Sequence, residues 1–360
     1  MRLNWLGYNW RTFDGYGRYG AYMARALARA GVTVTPHFTG AADAPKWLQD
    51  EWGVDFGIPT ISCLPPYYLR KLPRHATGPH WLLTMTEGSE CPDGWADIIN
   101  QSGVARVIVP CEHNKDAFTR GGVVAPISVV PGGTDPFEFP LLQRERKEGA
   151  PYTFLALADR GSRKGWDEVY DAFYKAFGGK TTGQQDVRLI IKCRPEGNAQ
   201  LEMIAKATDL DKRLCIQIED VDDMREVYAQ ADCFVIPSRS EGWGMPHREA
   251  AMMGIPVITQ AYSGMDDEYV YTWASVVRNG HMERIPSETK NHIKGEWRVC
   301  DRDELADVMR QHYENPDVFA RAGIVAARCL RANQTWDHSA SALLQLLQQE
   351  GVLERRMEYA

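Results

Sequence analysis

Short apolar runs alternate along this chain with longer segments whose apolar positions recur at helical spacing, and this alternation restricts the fold to parallel α/β layers. Leu3–Gly7 reads as a strand. Tyr22, Met23, Ala26, Leu27 and Ala30 give the next segment, around Tyr19–Ala30, a helical apolar face that Gly31 ends. Val32–Val34, Trp81–Met85, Val107–Val109 and Ile127–Val130 continue the strand series. A second series runs through Tyr152–Ala158, Val187–Cys193, Leu214–Ile218, Cys233–Ile236 and Pro256–Thr259. Trp336–Gln349 reads as an amphipathic helix with Ala340, Leu343, Leu344 and Leu347 on one side. At 360 residues the chain is long for one core and comfortable for two. The polar stretch Leu142–Ala150 is the natural linker between the two series.

The bulk numbers exclude several classes. A composition of 44% hydrophobic and 25% charged residues is that of an ordinary globular protein. No apolar run is long enough to span a membrane, and Met1-Arg2-Leu3-Asn4 does not open a signal peptide. The eight cysteines stand singly with no C-x-x-C pair, so buried thiols in a reducing, cytoplasmic setting are expected. Residues 1–150 balance 15 basic against 15 acidic side chains, and the rest of the chain carries the whole net charge of −7. Such a chain lacks the overall basic balance of a nonspecific nucleic-acid binder, although a local basic groove stays open.

The segment Ser238-Arg239-Ser240-Glu241-Gly242-Trp243-Gly244-Met245-Pro246-His247-Arg248-Glu249 follows the apolar run Cys233–Ile236 and leads into a short helix. Gly242 and Gly244 let a ligand approach the backbone closely, while Pro246 suits the first helical position and Gly254 its end. This reading puts Glu249 in the first helical turn, beside free N–H groups and the positive end of the dipole. The ordinary alternative is a capped helix with an acidic first turn. A carboxylate accepting from two vicinal hydroxyls is the device that dinucleotide sites use on ribose.

This segment resembles the Glu-x7-Glu motif of retaining GT-B glycosyltransferases, in particular family 4. The resemblance implies two Rossmann-like α/β domains facing a central cleft. Residues 1–148 would form the acceptor-side domain and 149–335 the donor-binding domain, with a helix within 336–360 crossing back onto the first. It implies that Glu249 holds the donor ribose, that Glu241 lies near the transferred sugar, and that the Gly244-Met245-Pro246 backbone contacts sugar hydroxyls or phosphate. Ser263–Asp266 and Gly295–Trp297 also resemble family segments.

Asp159-Arg160-Gly161-Ser162-Arg163-Lys164-Gly165 joins the first strand of the second series to a helix, Trp166–Phe177. A strand-to-helix loop at the carboxyl end of a parallel sheet is a ligand position, and a departing nucleoside diphosphate needs cations there. Arg163 and Lys164 are the expected cations, with Arg160 a weaker third. Gly15-Tyr16-Gly17-Arg18-Tyr19-Gly20 matches G-x-G-x-x-G. A dinucleotide oxidoreductase fails the context, because extra residues separate the strand from Gly15 and the next strand ends in Thr35-Pro36-His37 without an acid. By the resemblance, Gly15 and Gly17 belong instead to a glycine-rich loop facing the donor diphosphate. Asp209/Asp211, Asp220/Asp222 and Asp301/Asp303 each form Asp-x-Asp, read as background among 48 acids, so no metal is expected. By the same resemblance, Val221 contacts the base through its backbone.

Thr84–Trp95 looks like a subgroup of these transferases with a Glu after this strand, where others carry His. Glu87 is the candidate to orient the acceptor hydroxyl or contact the sugar. Val107–Pro110 with His113, and Val129–Asp135, resemble family scaffold. The basic cluster Leu69–His75, with Arg70, Lys71 and Arg74, could meet an anionic acceptor. The combined expectation is a metal-independent retaining glycosyltransferase with no prosthetic group. Its co-substrate would be a UDP- or GDP-sugar and its acceptor a glycan or lipid-linked saccharide, with peripheral membrane contact left open. Transfer to hydroxymethylated DNA bases, a non-catalytic nucleotide-sugar-binding subunit and a GT-B epimerase are the alternatives. The sequence leaves the oligomeric state undetermined.

Overall fold

The computed structural model describes residues 1–8, 15–39, 57–71, 78–142, 148–158, 161–179, 183–194, 211–287 and 293–353. They fall into two compact units: Met1–Asp135 with Lys290–Gly295 and Gln334–Ala360, and Pro136–Thr289 with Glu296–Asn333.

The first unit contains β1 (Arg2–Tyr8), α1 (Gly15–Arg29), β2 (Thr33–Thr39), β3 (Thr60–Cys63), β4 (His80–Leu83), α2 (Trp95–Gln101), β5 (Arg106–Val109), α3 (Glu112–Arg120) and β6 (Ile127–Val129). Its sheet is parallel throughout, in the order β2-β1-β3-β4-β5-β6. The fully buried β3 is a strand that hydrophobic patterning passed over, because Thr60 and Ser62 interrupt the apolar signal. Gly15–Gly20 is not the glycine-rich loop expected; it forms the first turns of α1. Gly20 is small there because a Cβ would lie 3.3 Å from Cys63 Sγ and 3.4 Å from Trp5 Nε1.

The second unit contains β7 (Tyr152–Leu157), α4 (Trp166–Phe177), β8 (Val187–Cys193), β9 (Leu214–Ile218), α5 (Met224–Tyr228), β10 (Cys233–Val235), α6 (Met245–Met252), β11 (Val257–Gln260), α7 (Val270–Trp273) and β12 (Ser275–Val277). The antiparallel pair β13 (Gly280–Arg284) and β14 (Glu296–Cys300) and the helices α8 (Arg302–Glu314) and α9 (Pro316–Asn333) complete it. The main sheet is again parallel, in the order β12-β11-β10-β7-β8-β9. The chain fills one side with β8 and β9, then returns past β7 to place β10. This makes the β7/β10 boundary a topological switch point, where ligands of open α/β sheets bind beyond the strand carboxyl ends. Trp166, Val169, Phe173 and Phe177, one face of α4 at helical spacing, are buried against this sheet.

The division between units falls at Asp135/Pro136, upstream of the polar stretch 142–150. Phe139 is buried in the second unit's core, and Arg331 Nη2 donates to the carbonyls of Phe139 at 3.1 Å and Met252 at 3.0 Å. The helix α10 (Trp336–Gln349) belongs to the first unit and packs on α1, where Trp336 meets Tyr19 edge-on at 4.8 Å and stacks on Tyr22 at 5.5 Å. All eight cysteines are free thiols, and among the described residues no helix is long and apolar enough to cross a membrane.

In the second unit His312 is stacked on Phe319 at 3.6 Å and shares a 2.9 Å hydrogen bond with Ser275 Oγ. Burial lowers its pKa from 6.5 to about 3. With the folded value below the unfolded one, its contribution is complete above the unfolded pKa and lost as pH falls towards the folded one. Between about pH 7 and about pH 4.5 the wild type should therefore lose roughly 2 kcal/mol more unfolding free energy than His312→Gln. Urea denaturation at the two pH values checks this, and parallel losses would contradict it.

Candidate active site

At the switch point two loops meet. The loop after β7 ends in Gly165, whose φ of +70° and whose hypothetical Cβ, 2.5 Å from the Pro237 carbonyl oxygen, admit little but glycine. The close approach sets Arg163 and Lys164 beside the chain leaving β10. Arg239 N donates to the Arg163 carbonyl at 2.7 Å, and Arg163 Nη1 donates to the Ser240 carbonyl at 2.9 Å. Glu241 then lies 2.6 Å from Lys164 Nζ and 3.1 Å from Arg163 Nη1, with only 5% of its surface exposed. Burial alone would raise its pKa, but the two cations outweigh it and hold the carboxyl well below its ordinary range. Glu241, Arg163 and Lys164 are thus brought together, as a buried carboxylate between two cations.

A second charged cluster braces this loop, and sequence reasoning missed it. Arg239 donates to Glu168 at 2.7 Å, to Asp167 at 2.6 Å and to Ser162 Oγ at 2.7 Å, and its guanidinium lies 5.3 Å from the Trp297 ring centroid. Glu168 is fully buried. Burial and its hydrogen bond to Asp167 raise its pKa against the pull of Arg239. At about 100° per residue Glu168 lies nearly opposite the face formed by Trp166, Val169, Phe173 and Phe177, so the apolar periodicity of α4 carries no signal of its burial.

On the other side of Glu241 the glycine turn leads into α6. Gly244 has φ +83° and caps the helix, so Met245 is its first residue and Glu249 stands in the second turn, not the first. Glu249 therefore lacks the expected helix-end setting. It is buried and accepts a 2.8 Å hydrogen bond from the phenol of Tyr228. Gly242 is buried close to Gly264, where a Cβ on Gly264 would come within 2.6 Å of the Gly242 carbonyl, and Met245 and Pro246 are half-buried. Glu241 N donates to Ser263 Oγ at 2.8 Å and Gly264 N donates to the Glu241 carbonyl at 2.9 Å. Ser263 itself adopts φ +54°. His247 is fully buried with Nε2 3.1 Å from the Ile236 carbonyl, and burial, aided by Lys164 and Arg248, lowers its pKa to about 3 despite Glu241. In this one segment Ser238 Oγ, Ser240 Oγ, Trp243 Nε1 and His247 Nδ1 are buried with no hydrogen-bond partner among the described residues.

The remaining candidates are spread out. Val221 turns its side chain to the core, leaving its backbone in the turn between β9 and α5. Arg160 and Arg74 lie outside the described residues, as does the Lys71 side chain; Arg70 is exposed on the 3-10 turn Pro66–Lys71. In the first unit Gly15 opens α1 at the surface and Gly17 is buried within it. Tyr16 donates to the Met85 carbonyl at 2.6 Å and accepts from Met85 N at 2.9 Å, tying α1 to the strand end that carries the half-buried Glu87. His113 Nε2 is 3.1 Å from the Gly88 carbonyl, which braces the same loop. Two of the Asp-x-Asp segments hold structural acids: Asp211 pairs with Arg213 at 2.8 Å, and Asp301 caps α8. Among the described residues no group of three or more His, Cys, Asp or Glu could hold a metal ion.

Residues 140–282 match the family described as Glycosyl transferases group 1. Mannosylfructose-phosphate synthase of Agrobacterium fabrum is 22% identical over 207 residues, which span 54% of this chain and 40% of that relative. The chain thus corresponds to less than half of that protein's length. Sucrose-phosphate synthase from Thermosynechococcus elongatus superposes with a TM-score of 0.70 at 16% identity, covering 97% of this chain and 99% of the other. HepE from Anabaena, in complex with UDP-glucose, superposes with a TM-score of 0.66 at 13% identity, covering 97% and 100%. The two parallel six-stranded sheets are those of the GT-B glycosyltransferase structures.

Glu241→Gln would leave Arg163 and Lys164 largely buried without their carboxylate. This should cost about 3 kcal/mol of unfolding free energy. Added phosphate should raise the melting temperature of the variant more than that of the wild type. Calorimetry checks both, and unchanged stability would show that the ion cluster does not hold these loops.

Proposed function

We propose that the chain is a metal-independent retaining glycosyltransferase, moving a sugar from a UDP- or GDP-sugar to a hydroxyl of a glycan or lipid-linked saccharide. The observation that carries this reading is the Glu241–Arg163–Lys164 cluster at the carboxyl edge of β7 and β10, with Glu249 one helical turn beyond Gly244–Met245–Pro246. The family match over residues 140–282 covers both loops. The UDP-glucose complex of a protein sharing the fold motivates the choice of donor.

In this reading Glu249, held by Tyr228, accepts from the donor ribose hydroxyls, and the Val221 backbone contacts the base. The N–H groups at the start of α6 and the Gly244–Pro246 backbone receive sugar hydroxyls or phosphate. Lys164 and Arg163, with Arg160, stabilise the charge that grows as the bond between the anomeric carbon and the phosphate oxygen breaks. The acceptor oxygen bonds to the anomeric carbon on the same face, and its proton passes to the departing phosphate oxygen. Glu241 orients the two cations and the transferred sugar. Glu87 is proposed on the acceptor hydroxyl, and Arg70, Lys71 and Arg74 on an anionic acceptor. Asp211 and Asp301, one from each of two Asp-x-Asp pairs, serve ion pairing and capping, which supports assigning charge stabilisation to the basic loop.

Nucleoside-diphosphate release from UDP-, GDP- and ADP-sugars in the presence of EDTA tests this. One donor should be turned over, with kcat/KM falling by about 100-fold or more in Lys164→Ala and Glu249→Ala. Absence of release together with absence of nucleotide-sugar binding by direct titration would overturn the reading. Binding with no turnover on any acceptor would favour a non-catalytic nucleotide-sugar-binding subunit.

A further inference from the structure

Arg248, the neighbour of Glu249 on α6, is completely buried. Taking a guanidinium out of water costs several kcal/mol unless its donors are matched, so a cation at this depth must be held by the groups around it. Its Nη1 donates to the Trp243 carbonyl and, at 3.3 Å, to the Gly244 carbonyl; its Nη2 donates to the Gly264 carbonyl at 3.2 Å and pairs with Asp267. The guanidinium carbon lies 3.8 Å from the Trp243 ring centroid, and Trp273 stands at 5.6 Å. One side chain therefore ties the glycine turn to the loop after β11, the loop that also receives the Glu241 backbone through Ser263 and Gly264.

The consequence is directional. With the carbonyls of Trp243 and Gly244 drawn to a buried cation, the turn cannot rotate them towards a ligand. The initial N–H groups of α6, which have no partner within the helix, are then the groups kept for an anion. Gly244 admits no side chain, since a Cβ there would sit 2.1 Å from Met265 Sδ, whose sulfur is 3.6 Å from Arg248 Nη1.

We infer that Arg248, with Asp267, is a positioning residue for the donor diphosphate: it holds Trp243–Met245 in the conformation that presents N–H groups to phosphate. The inference rests on the proposed nucleotide-sugar site. Lysine at this position keeps the charge but offers a single ammonium in place of a planar fork, so it cannot serve the same carbonyls together. Asp267→Asn keeps the volume and weakens the clamp from its other end.

Titration calorimetry with UDP, GDP and ADP identifies the diphosphate bound by the wild type. For that nucleotide, Arg248→Lys and Asp267→Asn should each raise Kd by about tenfold or more, while Kd for the matching monophosphate changes by less than about threefold. Hydrogen exchange of peptides spanning 241–246 in the ligand-free variants should be faster than in the wild type, with the β7–β9 peptides unchanged. An unchanged diphosphate Kd in the folded variants, or equal weakening of mono- and diphosphate, would overturn the role and leave Arg248 a structural residue. If the wild type binds none of the three diphosphates, the donor reading falls and this role with it, whereas failure confined to the variants' predicted behaviour overturns Arg248 alone.

Discussion

The site depends on one buried carboxylate between two cations. Glu241 would be costly in its position without Lys164 and Arg163, and those two side chains would be costly there without Glu241. The parallel sheet makes their meeting unavoidable. Because β7 and β10 are neighbours, the loops leaving their carboxyl ends are neighbours too, although 77 residues separate Lys164 from Glu241 in the chain. Topology supplies the proximity, and Gly165 against Pro237 supplies the close approach.

Around this cluster lie two further buried arginines with different tasks. Arg239 locks the basic loop to α4 through Asp167 and Glu168, whereas Arg248 locks the glycine turn to the loop after β11. A site that must meet a dianionic group gains from rigid supports of this kind, since cations and N–H groups already in place need not reorganise when charge develops. Hydrophobic packing holds the helices to the sheet, but the loops at its edge are held by ions and backbone hydrogen bonds.

Much of this was legible in the sequence, for identifiable reasons. The strands Val187–Cys193 and Leu214–Ile218 and the helices Trp166–Phe177 and Trp336–Gln349 fall at their predicted bounds, because long periodic runs end there at glycine or polar turns. Thr60–Cys63 escaped because a central strand can bury threonine and serine once its neighbours satisfy the backbone. The glycines at 15–20 were misread as a loop, since their spacing matches a phosphate motif while Gly20 in fact serves helix packing on Cys63 and Trp5. Arg163 and Lys164 could be named from loop position and charge, and Glu241 from the motif that its segment resembles, but their meeting in one ion cluster could not. Arg239, Glu168 and Arg248 could not, because a buried ion pair leaves no periodic signature and its partners are distant in the chain. Glu249 was placed one turn too early, an error of where the cap lies: Gly244 in a left-handed conformation starts the helix before Pro246.

The most direct test of the central claim is a crystal structure of the chain with UDP or GDP bound. The account predicts the ribose hydroxyls on the Glu249 carboxylate and the terminal phosphate within hydrogen-bond distance of Lys164 and Arg163, with Glu241 still ionised beside them. A nucleotide bound away from β7 and β10, with the Glu241 cluster and the Glu249–Tyr228 pair untouched, would contradict it.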